Sequence, residues 1–265
     1  MSESPALDAA RIGSRLATRH YGRSLEVRAI TGSTNDDARD AAARGAPHGH
    51  VVVADAQEHG RGSRARAWSS PPGVDLYVSI VERHAVKAAF VPAVTLAVGL
   101  GVTDAVLRVA PALAGRVAVK WPNDAWVGRR KVAGVLVESS SMGEQLSPMI
   151  VGIGLGVNRL AWPDALAGQA TSLREASGGL ACPPLDRNVV LAELLRAVER
   201  AVESLLGDGV AATLARLEER LALRGERVFV DDVEGTLLGL DARGALRIAT
   251  ADGERSVVSG TLRPG

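Results

Sequence analysis

Residues Ile150 to Asn158 read Ile-Val-Gly-Ile-Gly-Leu-Gly-Val-Asn, an apolar strand with glycine at every second position. Side chains alternate between the two faces of a strand, so one face of this segment carries none. A second backbone or a flat ligand can lie directly against it. A dinucleotide-binding turn has similar glycine spacing, but here Val157 takes the place of the last glycine and no helix start follows. The pyrophosphate site of such a turn needs a helix N-terminus, so the strand is not a Rossmann fingerprint.

A second stretch, Lys120-Trp121-Pro122-Asn123-Asp124, continues through a short turn into Lys131-Val132-Ala133-Gly134-Val135-Leu136-Val137-Glu138. Val117 and Val119 precede it, and Val132, Val135 and Val137 are also β-branched, so both flanks read as strands. Pro122 lacks a backbone donor and belongs at a strand end or edge. Gly128-Arg129 is placed to reverse the chain, which predicts Lys120 and Lys131 on neighbouring strands. Two lysines, an amide and a carboxylate beside Trp121 and Trp126 would form a cationic pocket on a rigid sheet, suited to an anionic ligand.

The N-terminal part supplies further polar groups. Ala6 to His20 carries Leu7, Ile12 and Leu16 at helical spacing, and a strand from Leu25 to Ile30 leads into Gly32-Ser33-Thr34-Asn35. Asp36, Asp37 and an alanine-rich helix closing at Gly45 follow. Ser33 or Thr34 is a natural N-cap, and the hydroxyls and free N–H groups of a helix start can equally hold a polar ligand head. Val51 to Ala54 is a buried strand running toward Gln57, and then comes Gly60-Arg61-Gly62-Ser63-Arg64-Ala65-Arg66-Ala67-Trp68. Two glycines and three arginines with few apolar anchors predict a flexible loop able to close over phosphates. It is not a Walker loop, since no Gly-Lys-Ser/Thr follows the second glycine. Leu76 to Val81 is the next strand.

Composition narrows the classes. A chain of 265 residues, 46% hydrophobic, can bury the core of one large domain or of a large and a small one. A net charge of +1 and a pI near 8.0 argue against bulk nucleic-acid binding. The one cysteine, Cys182 beside Pro183-Pro184, predicts a reducing compartment, the cytoplasm. Met1 to Asp8 has neither the basic cluster nor the apolar core of a secretory signal. Phe90 to Ala110 is apolar enough to raise the membrane question, but Gly99, Gly101, Asp104 and Arg108 interrupt it and predict a buried helix with no membrane partner.

Past the glycine strand, Asp186 caps a helix to about Leu206 with Val190, Leu194, Val198, Val202 and Leu205 inward. Gly207-Asp208-Gly209 breaks it before a last helix, Val210 to Leu223. The pattern then becomes short strands separated by turns: Arg227–Val230, Gly235–Leu240, Ala245–Thr250 and Arg255–Ser259. The expected fold is α+β, with residues 1–223 forming a mixed or antiparallel sheet flanked by helices and residues 224–265 a small SH3-like β-barrel.

Ser33-Thr34-Asn35, Gln57, Gly60-Arg61-Gly62 with Arg66 and Trp68, Lys120 to Asp124, Lys131 to Glu138, the glycine strand to Asn158, and Thr171-Ser172-Leu173 occur in one order and spacing. In this the chain resembles bacterial biotin protein ligases from about Ile30 to its C-terminus. The resemblance implies that biotin and ATP give biotinyl-5′-adenylate, which acylates one lysine of a biotin carboxyl carrier protein of acetyl-CoA carboxylase or a related carboxylase. It also implies a biotin/lipoate ligase-like catalytic domain. Carried over by motif, Ser33, Thr34, Asn35, Gln57, Arg61, Lys131 and Gly134 would surround biotin, with Gly62 and Ser63 lining the covering loop. Arg64, Arg66, Trp68, Lys120, Asn123 and Asn158 would face the adenylate and triphosphate. Lys131, Arg66, Lys120 and Asp124 would carry the chemistry, Asp124 by assisting the second step. Cations together with Mg²⁺ carried by the phosphates would offset the repulsion between a carboxylate and an α-phosphate, with no protein metal site and no covalent enzyme intermediate.

The chain departs from the family pattern at three positions. The loop usually reads Gly-Arg-Gly-Arg-x-Gly-Arg, but Ser63 and Ala65 replace the second arginine and the third glycine, which predicts weaker retention of the adenylate unless Arg64 substitutes. Gly156 stands where an asparagine is common. Some thirty residues precede the Ser-Thr-Asn motif, too few for the winged helix-turn-helix of repressor relatives, so a single-function enzyme, monomeric or weakly dimeric, is expected. Two rivals differ in class: a lipoate or octanoate ligase, whose relatives lack the paired Gly-Arg-Gly loop and Lys-Trp-Pro-Asn-Asp hairpin in this form, and a non-catalytic biotinyl-adenylate sensor.

Overall fold

The computed structural model describes residues 4–142 and 145–265. Its larger sheet contains β1 (Leu25–Thr31), β2 (Val51–Gln57), β3 (Leu76–Glu82), β4 (Val86–Lys87), β5 (Val117–Lys120), β6 (Asp124–Val127), β7 (Arg130–Met142) and β8 (Gln145–Leu155). The order across the sheet is β1-β2-β3-β8-β7-β6-β5, with β4 against β8. Among the described strands only β1 and β2 run parallel, joined by a helix crossover as parallel strands require. The helices are α1 (Ala9–Gly13), α2 (Thr34–Ala43), α3 (Val91–Val109), α4 (Leu173–Ala176), α5 (Arg187–Asp208) and α6 (Val210–Glu218). Five antiparallel strands close the chain: β9 (Arg227–Val230), β10 (Val233–Leu240), β11 (Leu246–Thr250), β12 (Gly253–Val257) and β13 (Leu262–Pro264), in the order β12-β11-β10-β9-β13.

The glycine strand is β8, at the centre of the larger sheet between β3 and β7. The long apolar helix α3 is a core element. Val94, Ala97, Val98, Val102 and Val106 are buried in the cluster that also takes Val190, Leu194 and Val198 of α5. Burying each such side chain contributes about 1.5–3 kcal/mol. A Cβ on Gly101 would lie 2.8 Å from the Val198 Cα, so that glycine permits the close approach of α3 and α5. Each of the five α5 positions expected to face inward is buried.

A second core crosses from the larger sheet into the C-terminal strands. Leu96 of α3, Val119 of β5 and Trp121 pack with Leu214 and Leu217 of α6 and with Val228, Leu237, Ile248 and Leu262. The Trp121 indole N–H donates to the Gly244 carbonyl at 3.0 Å. The C-terminal sheet is therefore docked on the larger sheet, and this core runs through the expected boundary at residue 224.

Three local expectations need correction. Lys120 and Lys131 are not on neighbouring strands, because the chain reverses twice, at Trp121–Asn123 and again at Gly128–Arg129, and places β6 between them. The first helix ends at Gly13 rather than His20. Beyond it the backbone N–H groups of Arg19, His20 and Tyr21 donate to the buried Glu199 carboxylate at 2.7–2.8 Å, an arrangement a helix would preclude by using those donors internally. α6 likewise stops at Glu218, because the following residues pair with β5: Val119 N–H donates to Arg220 O and Ala222 N–H to Val119 O.

Candidate active site

Gly152 and Gly154 of β8, with Gly134 of β7 paired opposite Gly154, make a floor without side chains. A Cβ on Gly152 would lie 2.3 Å from Asn35 Oδ1, one on Gly154 2.3 Å from the Trp68 ring, and one on Gly134 2.9 Å from that ring. The bare face read from the sequence is thus covered by the start of α2 and by an indole.

Above this floor lies a deep cavity of about 30 Å³, walled by Ser33, Thr34, Asn35, Gln57, Arg61, Gly62, Ser63, Trp68, Asn123, Lys131 and Gly134. Ser33 occupies the N-cap position of α2, yet its hydroxyl makes no cap bond and is left to the cavity. The Thr34 N–H donates to Gln57 Oε1 at 2.9 Å, and the Gln57 amide donates to Ser70 Oγ at 2.9 Å. The Ser79 hydroxyl sits 2.6 Å from Asn35 Oδ1 and 2.8 Å from Thr34 Oγ1, while the Asn35 amide donates to Glu138 at 2.6 Å. These bonds fix the orientation of both amides before any ligand arrives.

The Arg61 guanidinium donates two bonds to Asp36, at 2.7 and 2.6 Å. That fork lowers the Asp36 carboxyl from 3.8 to about 2, Arg39 adding to the effect and partial burial opposing it. Arg61 was expected to hold the ligand itself. It lines the cavity, but its guanidinium is committed to Asp36 and anchors the loop to α2.

Asp124, on the middle strand β6, lies between the two lysines. Lys131 Nζ is 2.6 Å from its Oδ1 and Lys120 Nζ 4.0 Å from its Oδ2. Lys131 also stands 5.0 Å from the Trp68 ring centre, and Lys120 5.4 Å from that of Trp126. Burial pushes the Lys120 ammonium below its ordinary value; Asp124 opposes this, and Lys131 and Arg66 add to it. Asn123 is tied to β7 in both directions, its side-chain amide donating to Val135 O and its backbone carbonyl accepting the Val135 N–H, each at 2.8 Å.

A second, open cavity of about 310 Å³ adjoins the first and shares Ser63 and Asn123 with it. Arg64, Arg66, Lys120 and Asp124 line it together with Pro92 and Thr95 of α3 and the segment Val258 to Leu262 before β13. Three cations against one carboxylate suit a polyphosphate. The loop is a narrow hairpin, with Gly62 N–H donating to Arg66 O at 2.7 Å and Trp68 N–H to Gly60 O at 2.8 Å. Its tip reaches the C-terminal sheet, where Arg64 donates to Thr261 Oγ1 and lies 3.9 Å from Asp231.

Most of the residues singled out from the sequence meet around these two cavities; two do not sit where expected. Trp68 was placed on the nucleotide side but lies in the deep cavity, because the absent side chains of Gly134 and Gly154 leave room there for a flat ring. Asn158 lines neither cavity: it is buried, its amide donates to Leu185 O and its Oδ1 accepts the Leu185 N–H, both at 2.9 Å, so it secures the approach to α5. At Gly156 a Cβ would meet the Thr171 carbonyl oxygen at 2.6 Å, so this backbone has no room for the family's asparagine. Sequence reasoning missed Ser79 and the segment Val258 to Leu262. A serine in the middle of an apolar strand was a usable signal for the first; nothing local marks the second.

The biotin/lipoate A/B protein ligase family matches residues 28–158, and the biotin protein ligase C-terminal domain matches residues 230–261. A biotin–[acetyl-CoA-carboxylase] ligase of Mycobacterium tuberculosis is 32% identical over 247 residues, covering 89% of this chain and 86% of its own. A bifunctional ligase/repressor of Bacillus spizizenii is 30% identical over 94% of this chain and 77% of its own length. Among solved structures, the Aquifex aeolicus biotin protein ligase in complex with biotin and ATP superposes with a TM-score of 0.79 at 28% identity, covering 92% of this chain and all of that one. Relatives 32% and 30% identical over most of both chains show the family, the two family matches and the fold agree with it, and the chain belongs to the biotin protein ligases.

Proposed function

We propose that the deep cavity takes biotin, the open cavity takes ATP, and the two react where the cavities meet. The protein is a ligase that activates biotin with ATP and transfers it to a carrier protein. The observation that carries the assignment of sites is the junction itself: Ser63 and Asn123 belong to both cavities, and Lys131 and Lys120 flank it around Asp124. A biotin carboxylate and an α-phosphate meeting there are both anions, and the lysines with Arg66 offset their repulsion. The carboxylate oxygen bonds to the α-phosphorus and pyrophosphate leaves; the carrier lysine's neutral amine then attacks the acyl carbon, releasing AMP and a proton.

Asp124 is already paired with Lys131, so its role in this reading is to hold that ammonium in place. Among the described residues lining the open cavity Asp124 is the one carboxylate, and Mg²⁺ would arrive on the triphosphate, where it would neutralise charge on the leaving pyrophosphate. The Trp68 ring lies against Gly134 and Gly154, so a flat ligand reaching the glycine floor would displace it. Incubation with biotin, ATP, Mg²⁺ and a carboxylase carrier domain, read by mass spectrometry, should show one biotinyl group on one carrier lysine and none without ATP. Transfer of lipoate or octanoate in place of biotin would overturn the assignment of the deep cavity.

A further inference from the structure

Glu82 ends β3 at the far end from the cavities, roughly 17 Å along the strand from Tyr77, whose partner is Gly154. It is fully buried. Its Oε2 accepts the Tyr21 hydroxyl at 2.5 Å, and its Oε1 accepts the His84 backbone N–H at 2.8 Å. The same Oε1 lies 2.7 Å from His84 Nδ1 and 3.3 Å from His48 Nδ1. Among the described residues these two imidazoles are its only ion-pair partners. The adjacent Arg83 turns its guanidinium away to the Ala42 and Ala46 carbonyls, both at 2.9 Å. A buried carboxylate without an ammonium or guanidinium leaves a desolvation cost that a cation must offset.

The His48 nitrogen points to the nature of that cation. His48 Nδ1 accepts the Arg83 backbone N–H in a long 3.3 Å bond, so it is the unprotonated nitrogen of the ring, and a metal ion would take up that lone pair in place of the amide. A third imidazole, His20, packs against His48 with ring centres 5.0 Å apart.

We infer that His48 Nδ1, His84 Nδ1 and Glu82 form a binding site for a divalent late first-row transition-metal ion of the Zn²⁺ class. The three ligand atoms lie within 4.8 Å of one another. A tetrahedral ion with bonds of about 2.0–2.1 Å needs its ligands roughly 3.4 Å apart, close to the 3.3 Å between His48 Nδ1 and Glu82 Oε1 and wider than the 2.7 Å between His84 Nδ1 and Glu82 Oε1. Two nitrogens and one oxygen favour such an ion over Mg²⁺ or Ca²⁺, leaving the fourth position to water. Tyr21 is a positioning residue, holding the second carboxylate oxygen. The ion clasps the segment between α2 and β2 to the β3–β4 turn.

The test uses tag-free, chelator-treated full-length protein titrated with Zn²⁺ by calorimetry and with Co²⁺ by visible absorption. One equivalent should bind, with the intense d–d bands of four-coordinate cobalt, and Zn²⁺ but not Mg²⁺ should raise the Tm. His84→Ala removes a half-exposed ring together with its contact to Glu82, so its metal-free Tm should fall modestly while the cobalt bands and the Zn²⁺-dependent rise disappear. Tyr21→Phe should weaken binding roughly 10-fold, as loss of an outer-sphere partner does. No binding by the parent protein, or binding unchanged in both His84→Ala and His48→Ala, overturns the site.

Discussion

The two adjoining cavities differ in how they are built. The deep one is assembled from a helix start and strand positions whose polar groups already have partners: Thr34 with Gln57, Asn35 with Ser79 and Glu138, Arg61 with Asp36. The open one draws on the exposed Arg64 and Arg66 of a loop, the start of α3, and a turn of the C-terminal module. Rigid hydrogen-bond geometry suits recognition of one small molecule, whereas phosphate charge can be met by mobile cations once the ligand is present. The polar contacts are therefore set in advance on one side, with only the Trp68 ring to move, and completed by closure on the other.

Removing the residue at the junction should break this division most severely. Lys131→Ala takes away the ammonium nearest both reacting anions, which should cost about 3–4 kcal/mol, or ~10²–10³ in the rate of adenylate formation. Pyrophosphate release near the parent rate would remove the lysine from the chemistry. Asp124→Asn separates two roles for that carboxylate. If it holds Lys131, adenylate formation slows by roughly tenfold or more, as loss of a buried charged partner implies; transfer from preformed adenylate at neutral pH should change less. Slowing confined to the transfer step would instead make Asp124 a base acting on the carrier amine, as first expected from the sequence.

Much of the deep cavity was legible because its residues sit where strands end and helices begin. Hydroxyl and amide groups at such points are local features, and Ser33 to Asn35, Gln57 and Lys131 carry them in the sequence itself. The open cavity was only half legible. Its cationic residues stand out, but Val258 to Leu262 reaches it through a core shared by Trp121, Leu96 and the last strands, a contact between distant parts of the chain that no local pattern encodes. Trp68 was recognised as a site residue, but a side-chain rotamer decides which cavity its ring enters without ligand, and no local pattern encodes that. Counting one reversal where there are two misplaced the lysines by a strand, since Asp124 to Val127 is too short a segment to show its own period.

Acid should release the anchor of the loop without touching the lysines. Because Arg61 holds the folded-state Asp36 value down to about 2 from 3.8, the pair adds stability above pH 3.8 and loses it as pH falls through about 2. Trp68 emission should therefore stay constant from neutral pH down to 4 and shift toward that of exposed indole below 3. Asp36→Asn should give the shifted emission already at pH 7. A shift centred near pH 6 in the parent protein would point to histidine instead.

The smallest effects concern the tip of the loop, where the chain departs from its family. Without ligand, the glycines and arginines of Gly60 to Trp68 bury little, so their amides should exchange faster than in the biotin complex; equal exchange would remove loop ordering as the source of closure. Ser63→Arg restores one charge-assisted hydrogen bond of ~1.5 kcal/mol and should slow adenylate release from a few-fold to about tenfold. Ala65 tests the same closure through the backbone. It sits at φ 55, in the left-handed region, where the family has glycine. That conformation costs an L-residue roughly 1–2 kcal/mol, while glycine's greater freedom in the open loop returns about 0.5–1 of it. Ala65→Gly should thus favour the closed hairpin by about 0.5–1 kcal/mol and slow adenylate release roughly two- to fivefold. The rate of adenylate formation should hardly change, since the substitution touches neither Lys131 nor Lys120. Faster release from Ala65→Gly, measured by pulse-chase of labelled adenylate, would mean that the loop's stiffness outweighs its strain in holding the intermediate.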